Sequence, residues 1–552
     1  MFIFTNGFFI FLNCVDIVYY PYVQKRMQSD AFLFLNGEKG FETFSLIPHL
    51  FLQYWYILLF SGGLIYLMIR IYKYSEDKML NRRMAKSFGF YSIIGLVFIL
   101  FLNVVGMRGG FQLRPIDTIN ATESAGVENT SAVLNSTFSL ILTWQRNKLN
   151  YQDYFPDSLL NDCEKGIHKY LPGSEKPTEK MNVVIIIVES LSKQYLSYFK
   201  GTSNTPFLDS LMNESFVFTN GFANARESVQ GIPAIVASIP SWMDEPFIFS
   251  RYSGNKFNSI PSLLKNDGYT SAFFHGAAKG TMGFYSFCKS AGFDYYYAKE
   301  DYDNEELDFD GYWGIWDHKY LPYMGAKLSL LPEPFFASVL TIHSHHPFKM
   351  PDQFKNQFKK KGHPILSSIR YTDYALSLFF ESVKDKSWYA NTLFVITADH
   401  IGPNTDVLKN RIDDYRIPII FYRPDGSLKG VSEDIANQID ILPTIMNYVG
   451  TEKDFFSPGR DLFSDRCNKI SVNYKMGIYQ YVDSTYFLQF DGTKTIGLYD
   501  WHKDKILKNN LVSDVKFKEA IHQIEISLKQ KIQVFNRSMI DDQMKIQARG
   551  EI

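Results

Sequence analysis

The stretch Asn182-Val183-Val184-Ile185-Ile186-Ile187-Val188-Glu189-Ser190 decides how this chain is read. An unbroken run of β-branched residues, with no polar alternation, predicts a strand buried on both faces, as at the centre of a parallel sheet. It stops at a carboxylate. A second stretch, Thr392-Leu393-Phe394-Val395-Ile396-Thr397-Ala398-Asp399-His400, repeats the pattern and stops at Asp-His. Ligands of open α/β sheets gather just beyond the carboxyl ends of such strands. Glu189, Asp399 and His400 are therefore candidate ligands of one shared cation, an oxygen and imidazole donor set that suits a divalent ion.

Strand and helix signals alternate around these two runs. Helices are expected near 206–211, over 260–266, over 371–383 and from Ile435; strands are expected over 270–274, 335–342, 393–397 and 417–422. From about 471 to 499 the pattern shifts to short alternating strands, and the tail after Asn509 reads as helical. The fold class expected is α/β: a doubly wound, mostly parallel sheet with a small C-terminal antiparallel appendage. The acidic stretch 301–310 lacks the central glycine and spacing of a calcium loop and reads as a solvated loop.

Ahead of this domain the chain is apolar. Residues 50–69 and 88–106 each approach the roughly 20 residues that a helix needs to cross a bilayer, and residues 1–20 are a weaker third candidate that contains Asn6, Asn13 and Asp16. The loop between the two stronger segments carries Arg70, Lys73, Lys78, Arg82, Arg83 and Lys86, which marks it as cytoplasmic by the positive-inside rule. Everything after residue 106 is then expected outside, on a multi-pass protein of the plasma (inner) membrane. The organisation expected is 1–106 transmembrane, 107–180 juxtamembrane connector, 181–465 catalytic α/β domain, and 466–552 antiparallel strands with a helical tail. A net charge of −1 over 552 residues gives no bulk attraction to nucleic acid. Cys14, Cys163, Cys288 and Cys467 form no CxxC pair. One disulfide among the last three fits an extracytoplasmic domain, but spacing selects no pair.

Between the two strands lies Asn224-Ala225-Arg226-Glu227-Ser228-Val229-Gln230-Gly231, in which small residues precede Ser228 and a helix-like run follows. A hydroxyl at a helix N-terminus sits where an anion is favoured, and metal coordination can activate it as a nucleophile. A lone serine there also serves as an ordinary N-cap.

Taken with Thr205-Pro206-Phe207-Leu208-Asp209, Thr341-Ile342-His343-Ser344-His345-His346-Pro347-Phe348 and Gln438-Ile439-Asp440-Ile441-Leu442-Pro443-Thr444, this set resembles the sulfatase/alkaline phosphatase superfamily. Within it the chain is similar to the lipoteichoic acid synthase branch of membrane-anchored phosphoglycerol transferases. The resemblance implies one divalent ion, manganese first with magnesium or zinc as alternatives, held by Glu189, Ser228, Asp399 and His400. It implies Ser228 as nucleophile, His345 near the reacting phosphate, and His275 in contact with substrate. Arg226 and Lys279 are further substrate-binding candidates. The implied partners are a phospholipid donor, a glycan or lipid acceptor and the membrane, without nucleic acid. Where phosphoglycerol-binding members place Trp and Arg after His-Gly, this chain reads Gly276-Ala277-Ala278-Lys279-Gly280. The head group is thus open, with a phosphoethanolamine transferase, a phosphodiesterase, a sulfatase-type hydrolase or an inactive membrane sensor as alternatives. Ser228-Val229-Gln230-Gly231-Ile232 lacks the Pro and Arg that accompany formylglycine maturation, which disfavours a true sulfatase.

Overall fold

The computed structural model describes residues 2–23, 26–27, 38–80, 90–108, 110, 133–143, 149–169, 180–200, 205–224, 226–250, 252–405 and 411–546. The chain divides into two compact units, Met1–Asn147 and Lys148–Ile552.

The first unit contains helices Phe2–Val23, Glu38–Leu80, Phe90–Arg108 and Ser136–Thr143. By length and composition, Phe2–Tyr20 and Leu52–Lys78 are apolar enough to cross a membrane, while Ile93–Arg108 is a shorter apolar stretch. The segment that looked weakest from its polar residues is thus among the two longest. Its polar side chains are accommodated inside the unit: Asn13 Nδ2 donates to Thr137 Oγ1, and the buried Asp16 takes the Arg26 guanidinium and the Met27 N–H. Arg82, Arg83 and Lys86, and the connector segment 111–132, lie outside the described residues.

The second unit is built on β1 (Ile167–His168), β2 (Asn182–Val188), β3 (Phe216–Phe222), β4 (Thr270–His275), β5 (Tyr295–Tyr297), β6 (Phe335–Leu340), β7 (Thr392–Ala398), β8 (Ile419–Tyr422), β9 (Gly430–Asn437), β10 (Phe455–Phe456), and β11 to β14 (Ser471–Lys475, Ile478–Val482, Tyr486–Phe490, Thr495–Asp500). The main sheet has eight strands in the order β5-β4-β6-β2-β7-β8-β3-β9. All its pairings are parallel except those of β8, which runs antiparallel to both β7 and β3. β2 sits near the middle, and its side chains alternate between two cores. Val183, Ile185 and Ile187 join one cluster, and Val184, Ile186 and Val188 the other. That is why the run shows no polar alternation: both faces are covered. β11 to β14 form the expected antiparallel sheet, and Lys518–Ile540 is the expected C-terminal helix.

Three expectations need correction. No helix begins at Ile435: residues 430–437 form β9, in which Ile435 and Ala436 pair with Asn220 and Gly221 of β3. Asn437 then turns the chain by capping the next turn, and the helix starts at Ile441. β3 itself had no expected counterpart. The acidic stretch is not solvated throughout, because Asp310 at its end is buried.

Cys163 and Cys467 are disulfide-bonded, with Cα atoms 5.7 Å apart. Beside the bond, β1 pairs antiparallel with β10. Residues just before the family-like region are in this way stitched to its far end.

Candidate functional site

Sheet register alone brings the first donors together. Val188 of β2 is level with Ala398 of β7, so Glu189 and Asp399 leave the sheet side by side. On the other flank Ile187 is level with Leu340, and Leu340 with His275. Thr341 follows, and its hydroxyl accepts the Glu189 N–H at 3.0 Å.

Ser228 arrives from a different layer, as the first residue of the helix Ser228–Ala237. Its hydroxyl donates to Glu189 Oε2 at 3.2 Å and lies 3.5 Å from His400 Nε2. The helix can come this close because position 231 is glycine; a Cβ there would fall on the Asp399 backbone carbonyl. His400 Nδ1 lies 2.8 Å from the Ile401 carbonyl. A proton on Nδ1 satisfies that contact and leaves the Nε2 lone pair facing the carboxylates, the tautomer that ligates cations. Nε2 is 3.4 Å from Asp399 Oδ2 and 3.6 Å from Glu189 Oε1.

Two residues to which the sequence reading gave no role organise these donors. Ser190 holds a left-handed backbone (φ 57°), from which its N–H donates to Asp399 Oδ1 at 2.8 Å and its hydroxyl to Glu189 Oε1 at 2.6 Å. Gln438 is fully buried. Its amide donates to the carbonyls of Ala398 and Asp399, both at 2.7 Å, while its oxygen accepts the Asn224 N–H at 2.7 Å. One side chain thereby staples the Asp-His turn to the loop that delivers Ser228. A buried glutamine inside an already recognised motif was the available signal.

The donor set fits a divalent cation. Glu189, Asp399 and His400 each offer a ligand atom, all within 4.8 Å of one another. Asp399 Oδ1 takes two N–H groups, from Ser190 and His400, whereas Oδ2 is buried with no hydrogen-bond donor, which is costly for a carboxylate unless a cation meets it. Burial and the neighbouring Glu189 charge push Asp399 up to about 7. Burial opposes protonation of His400, but Asp399 and Glu189 outweigh it and raise that imidazole.

Ser228 and Glu189 open onto a small cleft whose walls include His275, Met282, Phe284, Trp313, Ile342 and His345. His275 Nδ1 contacts the Leu340 carbonyl at 3.1 Å, and burial pushes its pKa down to about 4. His345 is likewise lowered by burial. Its Nδ1 contacts the His346 carbonyl at 2.8 Å, and its ring meets Trp313 edge-on with centroids 4.5 Å apart. Of the two expected cations, Lys279 is exposed, with its ammonium over the Tyr285 ring at 4.9 Å, and the Arg226 guanidinium lies over the Tyr415 ring at 5.2 Å. Neither lines the cleft.

Residues 181–451 match the sulfatase family model. Lipoteichoic acid synthase 2 of Bacillus subtilis is 28% identical over 312 residues, covering 52% of this chain and 48% of that protein. Phosphoglycerol transferase I of Escherichia coli (strain 55989) is 26% identical over 327 residues, covering 55% and 42%. The chain spans about half the length of these curated relatives. Among solved structures, an alkaline phosphatase superfamily protein from Vibrio parahaemolyticus superposes with a TM-score of 0.61 at 23% identity, over 72% of this chain and 99% of that one. The lipoteichoic acid synthase LtaP from Listeria monocytogenes gives 0.57 at 21%, over 69% and 97%. The fold is of alkaline phosphatase type, and the resemblance read from the motifs is borne out.

Proposed function

We propose that this protein is a membrane-anchored, metal-dependent phosphotransferase that moves a phosphoglycerol-type head group from a phospholipid to a hydroxyl of an extracytoplasmic glycan or lipid. The observation that carries the reading is the convergence of Ser228 Oγ on Glu189 and His400 at the carboxyl ends of β2 and β7. The names of the curated relatives support the transferred group.

Glu189, Ser228, Asp399 and His400 would hold the ion, manganese first, and a bound divalent ion supplies charge stabilisation at nonbridging phosphoryl oxygens and acidifies the serine hydroxyl. The Ser228 oxygen attacks phosphorus, the bond from phosphorus to the diacylglycerol oxygen breaks, and the serine proton leaves with diacylglycerol. An acceptor hydroxyl then attacks the phosphoryl-serine, and its proton returns to Ser228. His345 is suited to relay that proton: with Nδ1 engaged by the His346 carbonyl and the ring held neutral by burial, Nε2 remains as an acceptor. Arg226 and Lys279 remain substrate-binding candidates from outside the cleft lining.

The second unit lies outside the cytoplasm on this reading, by the basic residues that end the Leu52–Lys78 apolar stretch and follow it. The Cys163–Cys467 bond supports this, since disulfides persist in oxidising compartments. One observation keeps a second head group in play, namely that Trp313, from a distant loop, stands in the cleft while Ala277-Ala278-Lys279 follows His275-Gly276. Purified protein given labelled phosphatidylglycerol or phosphatidylethanolamine decides it. A glycerol phosphate product with a phosphoglycerol adduct on Ser228 by mass spectrometry is expected; product from phosphatidylethanolamine alone, or none, overturns the reading.

A further inference from the structure

His343 lies between two buried carboxylates that no step above uses. Its Nδ1 is 3.2 Å from Asp317 Oδ2 and its Nε2 is 3.5 Å from Asp310 Oδ2, and the three side chains are 1–2% exposed. Each carboxylate also gathers backbone donors. Asp310 Oδ1 accepts the N–H groups of Tyr312, Trp313 and Gly314 at 2.7, 2.8 and 3.1 Å. Asp317 accepts those of Ile342 and His343 at 3.2 and 2.9 Å. The Trp316 ring stacks on His343 with centroids 4.6 Å apart.

The triad therefore ties together two loops that are remote in sequence. One carries Trp313 and the other His345, and both side chains stand in the cleft wall. Trp313 Nε1 donates to the His346 carbonyl at 2.6 Å, a second tie between the same loops. Gly314 packs so tightly on the Gly276 backbone that a Cβ would collide with it, which seats the first loop against the His275 turn as well.

Two buried carboxylates this close need a cation between them, because an uncompensated buried charge costs several kcal/mol. The His343 ring meets both: its Nε2 faces Asp310 Oδ2, and its Nδ1 lies between Asp317 Oδ2 and the Asp317 backbone N–H, which donates to it at 3.3 Å. Burial disfavours its charge, yet Asp317 and Asp310 outweigh this and raise His343 to about 9.

We propose that His343 is a positioning residue: wedged between Asp310 and Asp317 it locks the 310–316 loop to the 341–346 loop, and so fixes Trp313 and His345 as the wall that orients the donor's head group. The wall's part in orienting a donor rests on the phosphotransferase reading, whereas the locking of the loops does not.

Hydrogen–deuterium exchange on the full-length protein separates the two. In His343→Gln, the amides of Tyr312, Trp313, Gly314 and Ile342 should exchange about tenfold faster or more through local opening, while those of Ser190 and His400 keep the wild-type rate. Manganese affinity should stay at the wild-type value, and KM for phosphatidylglycerol should rise about tenfold with kcat changed far less, the pattern of lost ground-state positioning. His343→Leu, which removes both ring nitrogens, should exaggerate every effect; if it does not fold, the glutamine variant carries the measurement. Unchanged exchange at 312–314, or equal acceleration at Ser190 and His400, overturns the lock. Faster wall exchange with unchanged KM overturns the orienting role. If wild-type protein turns over neither lipid, the phosphotransferase reading and the orienting role fall together, and exchange still decides the lock.

Discussion

The floor of the cleft and its outer wall reach fixed geometry by different chemistry. The floor is set by sheet register: Val188 against Ala398 places Glu189 beside Asp399, and neutral donors from Ser190 and Gln438 do the trimming. Its buried carboxylate oxygen is left over for a cation. The wall has no strand ladder to rely on. Its two loops are cross-tied by a histidine between two acids, so charge is consumed in holding the backbone rather than offered to a ligand. Damage to the floor should therefore remove the chemistry, while damage to the wall should loosen recognition and leave cation binding alone.

The largest expected effect falls on the floor. Ser228→Ala should lower turnover of labelled phosphatidylglycerol by at least about a thousandfold, as removal of a nucleophile does elsewhere, and abolish any adduct at this position. Residual turnover within tenfold of wild type would move the nucleophile to another residue. Next is Asp399→Ala, which should weaken manganese binding by about a hundredfold or more, read by calorimetry, since it deletes a ligand rather than its support. Exchange at Tyr312 to Gly314 should be untouched; if it also rises, floor and wall are not separate devices. Gln438→Leu should weaken the cation about 10- to 100-fold, the usual range for a residue that orients ligands, with unchanged affinity showing the staple to be redundant.

The smallest effect is a pH dependence confined to the wall. His343 has a folded pKa of about 9, above its unfolded value of about 6.5. Its contribution is thus complete below about 6.5 and is lost as pH rises through about 9. The groups facing it are Asp310, Asp317, Tyr371 and His318. Thermal melts of wild type should lose their advantage over His343→Gln between about pH 7 and 9. A constant difference across that range would mean that His343 is neutral.

The floor was largely legible in the sequence, because a strand buried on both faces announces itself by composition and its last residue must leave at the carboxyl edge. The antiparallel appendage was equally readable from its alternation. β3 was not: Thr219, Asn220 and Gly221 interrupt its apolar pattern, and Asn220 is tolerated because its side chain donates to the Glu433 carbonyl of neighbouring β9. β9 was mistaken for a helix because Ile435-Ala436 carries too little period to separate the two states. The wall was hidden for a different reason. Asp310 closes an acidic run whose other members are exposed or half-buried, and only folding brings it to His343. The Cys163–Cys467 pairing was open for the same reason, since 304 residues separate the partners.

That bond sets a practical boundary for anyone dissecting the protein. A soluble fragment trimmed to the family match at residue 181 would discard Cys163 together with β1. Cys467 would be left as a reactive thiol, and Phe455 and Phe456 would lose their partner strand. A recombinant fragment should instead begin before Tyr151, whose hydroxyl reaches Asp541 near the C-terminus, and should mature in an oxidising host compartment rather than in a reducing cytosol.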